Sequence, residues 1–521
     1  MRVRRRLAAL LALTLLMIIP LAGCQGGEDE SSSPVLVVAT PTPKADLSTL
    51  NIVMPENVET LHPLRATQRE VRSLLGLVYE SLLTYDEEGN PTGGLAASME
   101  PDDTAKVWTV KLRTQASWQG SGRPISADDV IFTLDLIRQI GQEGAYASVL
   151  DYLENWEKVD DTTVRISCKH GFMGNQMALD FPIVPMDAGF TADSAPNPGV
   201  GTGPYVLGEL KEGESLTLTV NPSWRKQQPS IKTIVAHRYP DTQTASTILM
   251  LRQLDVVQTD DVVTDQYSYA GDVNTYEYVT PYFEFLAFNM ASPNVADVRF
   301  RQAVAYSLNR KEIASDVYMN HVTLADSPFF PGNALLKEEA ALEQDVAQAQ
   351  SLLTAMGWNN QTQLTLLTYD NKQDPVRQEA ANLIARQLGE QGIIVNVIAK
   401  SGDEFTKDLE EGNYDLLLAG WYLGEVPDMS FGLSSAGEGN VTGYNSPAMD
   451  QKLAALLESG SSGFADALAA VKAQLAEDVP LVSLYFRNHT LLTTAQIKGV
   501  GRVEEDNAFI SIDQWIVGQS E

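Results

Sequence analysis

Apolar positions recur along this chain at two spacings. They alternate in Trp108-Thr109-Val110-Lys111-Leu112 and in Val164-Arg165-Ile166-Ser167-Cys168, the period-two pattern of strands with one buried face. Leu342, Val346, Ala349, Leu353 and Met356 keep helical spacing up to a stop at Gly357. Ala381, Ile384 and Leu388 form a second stripe ended by Gly392, again the sign of a helix with one apolar face. Ser126-Ala127-Asp128-Asp129 reads as a capping box ahead of a helix beginning near Val130. Ile393 to Ile398 reads as a short buried strand. Helix and strand alternate in this way through the body, which predicts an α/β architecture with parallel pairing.

The first 24 residues follow another pattern. Arg2, Arg4, Arg5 and Arg6 precede an apolar run from Leu7 to Ala22, broken only by Thr14 and Pro20. The run is shorter than the roughly 20 residues of a spanning helix and has the order of a secretory signal. Leu21-Ala22-Gly23-Cys24 resembles the bacterial lipobox. That resemblance implies a signal peptide over residues 1–23, cleavage before Cys24 and a diacylglycerol on its sulfur. Residues 24–47 then comprise the lipidated cysteine and a Gly/Ser/Pro/Glu-rich tether. The expected location is extracytoplasmic, at the outer face of the cytoplasmic membrane, or periplasmic in a host with an outer membrane.

Composition narrows the function. Without the four leader arginines, 33 basic residues face 68 acidic ones. A chain so acidic repels phosphate backbones, so nucleic acid is not an expected partner. Its length calls for two or three domains. With Cys24 acylated, Cys168 is alone, and its place on an apolar strand face makes it a small buried hydrophobe. His62, His170, His237, His321 and His489 show no ligand spacing, so no metal or cofactor is expected. No nucleophile elbow or Walker loop occurs, and Pro204 spoils Gly201-Thr202-Gly203-Pro204-Tyr205 as a phosphate cradle, leaving a tight turn. No catalytic constellation emerges, and the chain is not expected to be an enzyme.

A series of short motifs covers most of the body. Glu59-Thr60-Leu61-His62-Pro63 and Val78-Tyr79-Glu80-Ser81-Leu82-Leu83 open it. Pro124 to Val130, Gly201 to Tyr205 and Asn221-Pro222-Ser223-Trp224 continue it. Phe288-Asn289, Asp297 to Ala303 and Tyr414-Asp415-Leu416 to Trp421 complete it. In this order the motifs resemble the family 5 extracellular solute-binding proteins, the oligopeptide- and dipeptide-binding components of ABC importers. The resemblance implies an α/β, two-lobed, type II periplasmic-binding-protein-like fold with an extra subdomain in the first lobe. Lobe one would span 48–277 plus 488–521, with the inserted subdomain at about 65–195, and lobe two 281–485. The strands Pro281 to Asn289 and Pro480 to Arg487 would form the hinge.

The same resemblance nominates ligand-facing residues. They are Thr67 and Arg69 in the loop after His62-Pro63, Tyr146, and Gly420, Trp421 and Tyr422, whose main chain would pair with ligand backbone. Many peptide binders place an aspartate three residues after this tryptophan, where it meets a peptide's ammonium. Gly424 stands there instead, and Glu425 or Asp428 would take the role. The expected function is capture of a small solute, foremost a peptide, and its delivery to ABC permease subunits. The same scaffold also suits a glycan fragment, an opine-like amine, a metal chelate, or a sensing role.

Overall fold

The computed structural model describes residues 48–518 except 212, 269–271, 332–342 and 373. The leader, Cys24 and the tether lie outside the described residues, as does Leu342 of the first helical stripe.

One eleven-stranded sheet organises the chain. From one edge it runs Ile394–Lys400, Gln363–Tyr369, Leu416–Tyr422, Val273–Phe288, Leu481–Thr494, Val256–Thr259, Thr49–Pro55, Thr233–Tyr239, Leu216–Val220 and Tyr205–Leu207. Val322–Leu324 adds to Leu481–Thr494. The sheet is mixed, not parallel throughout. Thr49–Pro55 pairs parallel with Thr233–Tyr239 and Val256–Thr259, and Gln363–Tyr369 with Ile394–Lys400 and Leu416–Tyr422. Parallel neighbours need crossover connections, and helices Thr242–Met250 and Pro375–Glu390 lie within two of these. The other pairs are antiparallel.

Two long strands, Val273–Phe288 and Leu481–Thr494, form the middle of the sheet and pair along most of their length. Their ladder breaks near its centre, between Val279 and Phe283, and its register shifts again between Glu284 and Phe285. Val279 opposes Asn488, but the next pair is Phe283 with Phe486. Pro281 lies in the gap and has no N–H to offer a ladder, which is where prolines occur in strands. Thr280 Oγ1 donates to the Arg487 carbonyl at 2.8 Å and stitches the bulge.

The cores divide at this break. One apolar cluster draws on Leu50 to Ala236 and on a C-terminal return that includes Leu491, Phe509 and Trp515. Beyond the break, successive residues of Phe283–Phe288 point to opposite faces. Leu286 and Phe288 join Leu416, Leu418 and Val482 in a second cluster. Phe283, Phe285 and Ala287 join Leu417, Leu481 and Phe486 in a third. Both faces are covered there, so the strand is buried at every position.

Several sequence expectations meet their local outcome. Helix Ala127–Ile140 starts at the Ser126 cap, whose N–H donates to Asp129 at 2.9 Å. Helices Val346–Met356 and Pro375–Glu390 bury Ala349, Leu353, Ala381, Ile384 and Leu388. Val346, in the first helical position, stays 42% exposed. Trp108, Val110 and Leu112 are buried in a four-stranded antiparallel sheet that also buries Val164, Ile166 and Cys168. Burial pushes the Cys168 thiol up to about 12. The strand Ile394–Lys400 exists but is not buried: it is the sheet edge, and Ile394 is exposed while only the preceding Ile393 is covered. Among the described residues, no helix is long and apolar enough to cross a membrane.

Gly201 and Gly203 serve close packing more than a turn. A Cβ at Gly201 would stand 1.8 Å from the Val78 carbonyl oxygen, and one at Gly203 2.5 Å from that of Leu77. The Gly203 N–H uses the approach to donate to Val78 at 2.9 Å. Gly201→Ala is expected to lower stability by about 2–3 kcal/mol through this overlap, read as a lower urea midpoint.

Candidate functional site

A cavity of about 1190 Å³ opens beside the break in the two long strands. Its walls come from distant parts of the chain: helix Arg69–Gly76, the segments around Tyr146 and Asp180, the loop Tyr422 to Asp428, and the C-terminal stretch Gly501 to Asp513. The first two and the last belong with the first apolar cluster, whereas the loop 422–428 leaves the strand that builds the second and third.

Helix Arg69–Gly76 buries Val71, Leu74 and Leu75 and turns Arg72 toward the cavity. Arg72 Nη1 lies 2.7 Å from Asp506 Oδ2, and Arg72 Nη2 donates to the Tyr146 hydroxyl at 3.4 Å. The guanidinium also stands 5.3 Å from the centre of the Tyr146 ring, within cation–π range. Tyr422 Oη donates to the same Asp506 at 3.2 Å. Tyr146, Arg72, Asp506 and Tyr422 thus form one polar chain across the cavity.

Beside that chain stand Asp180, Glu425 and Glu504. Asp180 caps the end of the 3₁₀ helix Met173–Leu179. Burial, with the neighbouring charge of Glu504, pushes its carboxyl up to about 7. Burial and the charges of Glu504 and Asp180 push Glu425 up to about 8. Glu504 is raised by burial although Arg502 Nε donates to it at 2.7 Å. Asp506 is raised by burial against the pull of Arg72.

Among the nominated residues, the structure brings Tyr146, Tyr422, Glu425 and Asp428 to the cavity wall. Asp428 also accepts from the Ser430 N–H and hydroxyl at 2.9 and 2.6 Å, opening the short helix Ser430–Leu433. Gly424 lines the cavity too, and a Cβ there would meet no atom within 4 Å. The other four lie elsewhere. Thr67 is exposed in its loop. Arg69 is held away from the cavity by Glu70 at 2.9 Å and Glu505 at 3.6 Å. Trp421 packs behind the wall, its ring 4.3 Å from that of Phe285 and 5.2 Å from that of Phe431. Gly420 opposes Glu284 in the sheet, and a Cβ there would come within 3.0 Å of Arg377 Nη2.

Sequence reasoning missed Arg72, Asp180, Glu504 and Asp506. Arg72 sits one helical turn after Arg69, and a helix reading of 69–76 would have paired them on one face. Glu504-Glu505-Asp506 is a visible acidic run, but nothing local says that it meets Asp180.

Comparison with known proteins completes the picture. The family model described as Bacterial extracellular solute-binding proteins, family 5 Middle matches residues 90–443. Oligopeptide-binding protein AppA of Bacillus subtilis is 23% identical, spanning 98% of this chain and 99% of its own. Heme-binding protein A of Haemophilus influenzae is 24% identical over 69% of this chain and 72% of its own length. The solved structure of the ABC transporter substrate binding protein CtaP of Listeria monocytogenes superposes with a TM-score of 0.78 at 20% identity, covering 90% of this chain and 99% of that one. The fold is the two-lobed, type II periplasmic-binding-protein-like α/β fold. With a family match over two thirds of its length, the chain belongs to the bacterial extracellular solute-binding proteins, family 5.

Proposed function

We propose that this chain is the substrate-binding component of an ABC importer and captures a peptide between two hinged lobes for delivery to the permease. The observation that carries this reading is the cavity of about 1190 Å³, walled by segments from both sides of the break in the long strands. Small-molecule sites typically enclose about 300–1,000 Å³, so this one has room for a short chain. The printed names of AppA and CtaP, an oligopeptide-binding protein and an ABC transporter substrate binding protein, support it.

In this reading lobe one comprises 48–277 and 488–521, with its insertion at 65–195, and lobe two comprises 281–485. The separate cores and the interrupted ladder at Val279/Phe283 support a hinge there. A ligand stabilises closure only through contacts that differ between the open and closed states. Tyr146 and Tyr422 provide faces for side chains, and the segment Tyr422-Leu423-Gly424 lines the cavity where ligand backbone would run. Glu425 or Asp428 receives a cationic end in place of the family's aspartate. Acylated Cys24 tethers this receptor beside its permease and raises its effective concentration there. No step of bond chemistry belongs to this role.

The test is a melting experiment on the purified chain with tri- to pentapeptides, oligosaccharides, hemin and nickel-histidine. Peptides are expected to raise the melting temperature with a dose dependence set by mass action. A shift with hemin, sugars or nickel-histidine and none with any peptide would overturn the peptide reading.

A further inference from the structure

Away from the long strands, segments from the two sides of the cavity meet at another place. Gly171 and Phe172 follow the strand Thr163–Cys168, and Gly460 to Gly463 join the helices Pro447–Leu457 and Phe464–Asp478. The Gly460 N–H donates to the Gly171 carbonyl at 2.8 Å, and Phe172 and Gly460 form an isolated parallel bridge. The Ser461 N–H and hydroxyl both donate to the Asp103 carbonyl at 3.2 Å, in the turn before strand Val107–Leu112. His170 Nδ1 lies 3.0 Å from Glu458 Oε1, and Lys106 Nζ 3.8 Å from Glu458 Oε2. Gly460 takes a φ of +66°, and a Cβ there would stand 3.0 Å from the Asp103 carbonyl oxygen. Glycine thus provides both the left-handed turn and the close approach.

Apolar side chains cross the same line in both directions. Phe172 is fully buried and belongs to the third apolar cluster, in which every other member lies between Phe283 and Phe486. Its ring is 6.3 Å from that of Phe464. In return, Val426 of the cavity loop packs against the first cluster and against Leu83, Tyr85 and Met177. The contact also borders the cavity: the ring of Tyr152, on the wall, is 6.4 Å from that of Phe172. The ion pairs at its rim are half exposed, and such pairs contribute little. An aromatic ring covered by a second body is different, because it returns to water when the bodies part.

Resting on the hinged two-lobe reading above, we propose that Phe172 anchors a clasp that holds lobe two against the insertion of lobe one in the closed state. Asp103, Gly171, Gly460 and Ser461 supply its main-chain bonds. The hinge strands join the lobes covalently, and the clasp adds a link that forms and breaks. A contact made only in the closed state shifts the opening equilibrium toward closure, with or without solute. Solute then completes a closure that the empty chain already favours, and entry and release both require Phe172 to leave its cluster. The clasp acts on every solute alike, so it sets residence time and not selectivity.

The experiment compares the purified, empty chain with its Phe172→Ala variant by hydrogen exchange at single-residue resolution and by small-angle X-ray scattering. The N–H groups of Gly460 and Ser461 have their acceptors across the clasp, so their protection reports it directly. Both should exchange slowly in the parent and at least about tenfold faster in Phe172→Ala. The variant's radius of gyration should be larger, and unchanged protection in helix Pro375–Glu390 would show that lobe two is still folded. If Gly460 and Ser461 exchange as fast as unstructured amides in the parent, the clasp is overturned whether or not the variant folds. Slow exchange there supports it even if the variant fails to fold. Protection unchanged by the substitution in a folded variant would overturn the clasp and leave the hinged reading standing. Faster exchange at an unchanged radius would show that the halves do not part, and would overturn the hinged reading together with the clasp.

Discussion

Glu284→Ala is expected to destabilise the chain by about 3–5 kcal/mol, read as a fall in its urea midpoint. Glu284 is 1% exposed on the strand Val273–Phe288, just past the break in the ladder. Its carboxylate accepts from Arg377 Nε and Nη2 at 2.8 and 2.7 Å and from Arg487 Nε at 2.7 Å. Asp374 completes the group by pairing with Arg487. Burial works against the charge on both arginines, but Glu284 outweighs it and holds them more firmly protonated than usual. Removing Glu284 leaves two guanidinium groups in a low-dielectric site with only Asp374 between them. Breaking a buried pair from one side carries the full desolvation cost of the group left behind. Glu284→Gln keeps the shape but has one acceptor oxygen and no charge, so it should cost nearly as much. A small loss in Glu284→Gln beside a large one in Glu284→Ala would show that packing, not charge, is what Glu284 supplies.

The empty protein should lose stability as pH rises from about 5 to 8.5. The groups responsible are Asp180 and Glu425, raised to about 7 and about 8 from ordinary carboxylate values near 4. In this window the folded chain holds protons that the unfolded chain has released. Their contribution is complete below about pH 4 and is lost as pH climbs through the folded values. Among the described residues, Glu504, Asp506 and Arg72 act on the Asp180 carboxyl, and Glu504, Asp180, Arg502 and Asp506 on that of Glu425. These groups titrate as a coupled set, and the cavity is open to water, so the expected loss is on the order of 2 kcal/mol. Imidazoles of the unfolded chain also change charge across this range. The prediction is therefore the difference between the parent and the Asp180→Asn, Glu425→Gln variant: melting temperature should fall with pH in the former and stay flatter in the latter. Parallel curves for the two proteins would contradict it.

Much of the architecture was legible because period and punctuation are local. The alternation of Trp108, Val110 and Leu112, the Ser126 cap and the stripe Ala381, Ile384, Leu388 each depend on residues within a few turns. Pairing direction was not, because two long antiparallel strands in mid-sheet leave no mark on the pattern of any one strand. Nor was the exposure of Ile394, which follows from its strand having one neighbour.

The cavity shows the same division. Gly420, Trp421 and Tyr422 are consecutive, and a strand sends consecutive side chains to opposite faces. Trp421 accordingly joins the third apolar cluster with Ala419, while Tyr422 reaches the cavity. Asp180, Glu425 and Glu504 are separated by many tens of residues, and only the folded sheet brings their segments together. Gly424 is informative in another way: open space there means the missing aspartate is a chemical departure, not a steric one.

The central claim is that the cavity holds one peptide. Native mass spectrometry of the purified chain mixed with an equimolar set of basic, neutral and acidic tripeptides tests it most directly. The account predicts a single added tripeptide mass per chain. A chain that retains no tripeptide, or takes up several at once, would contradict it.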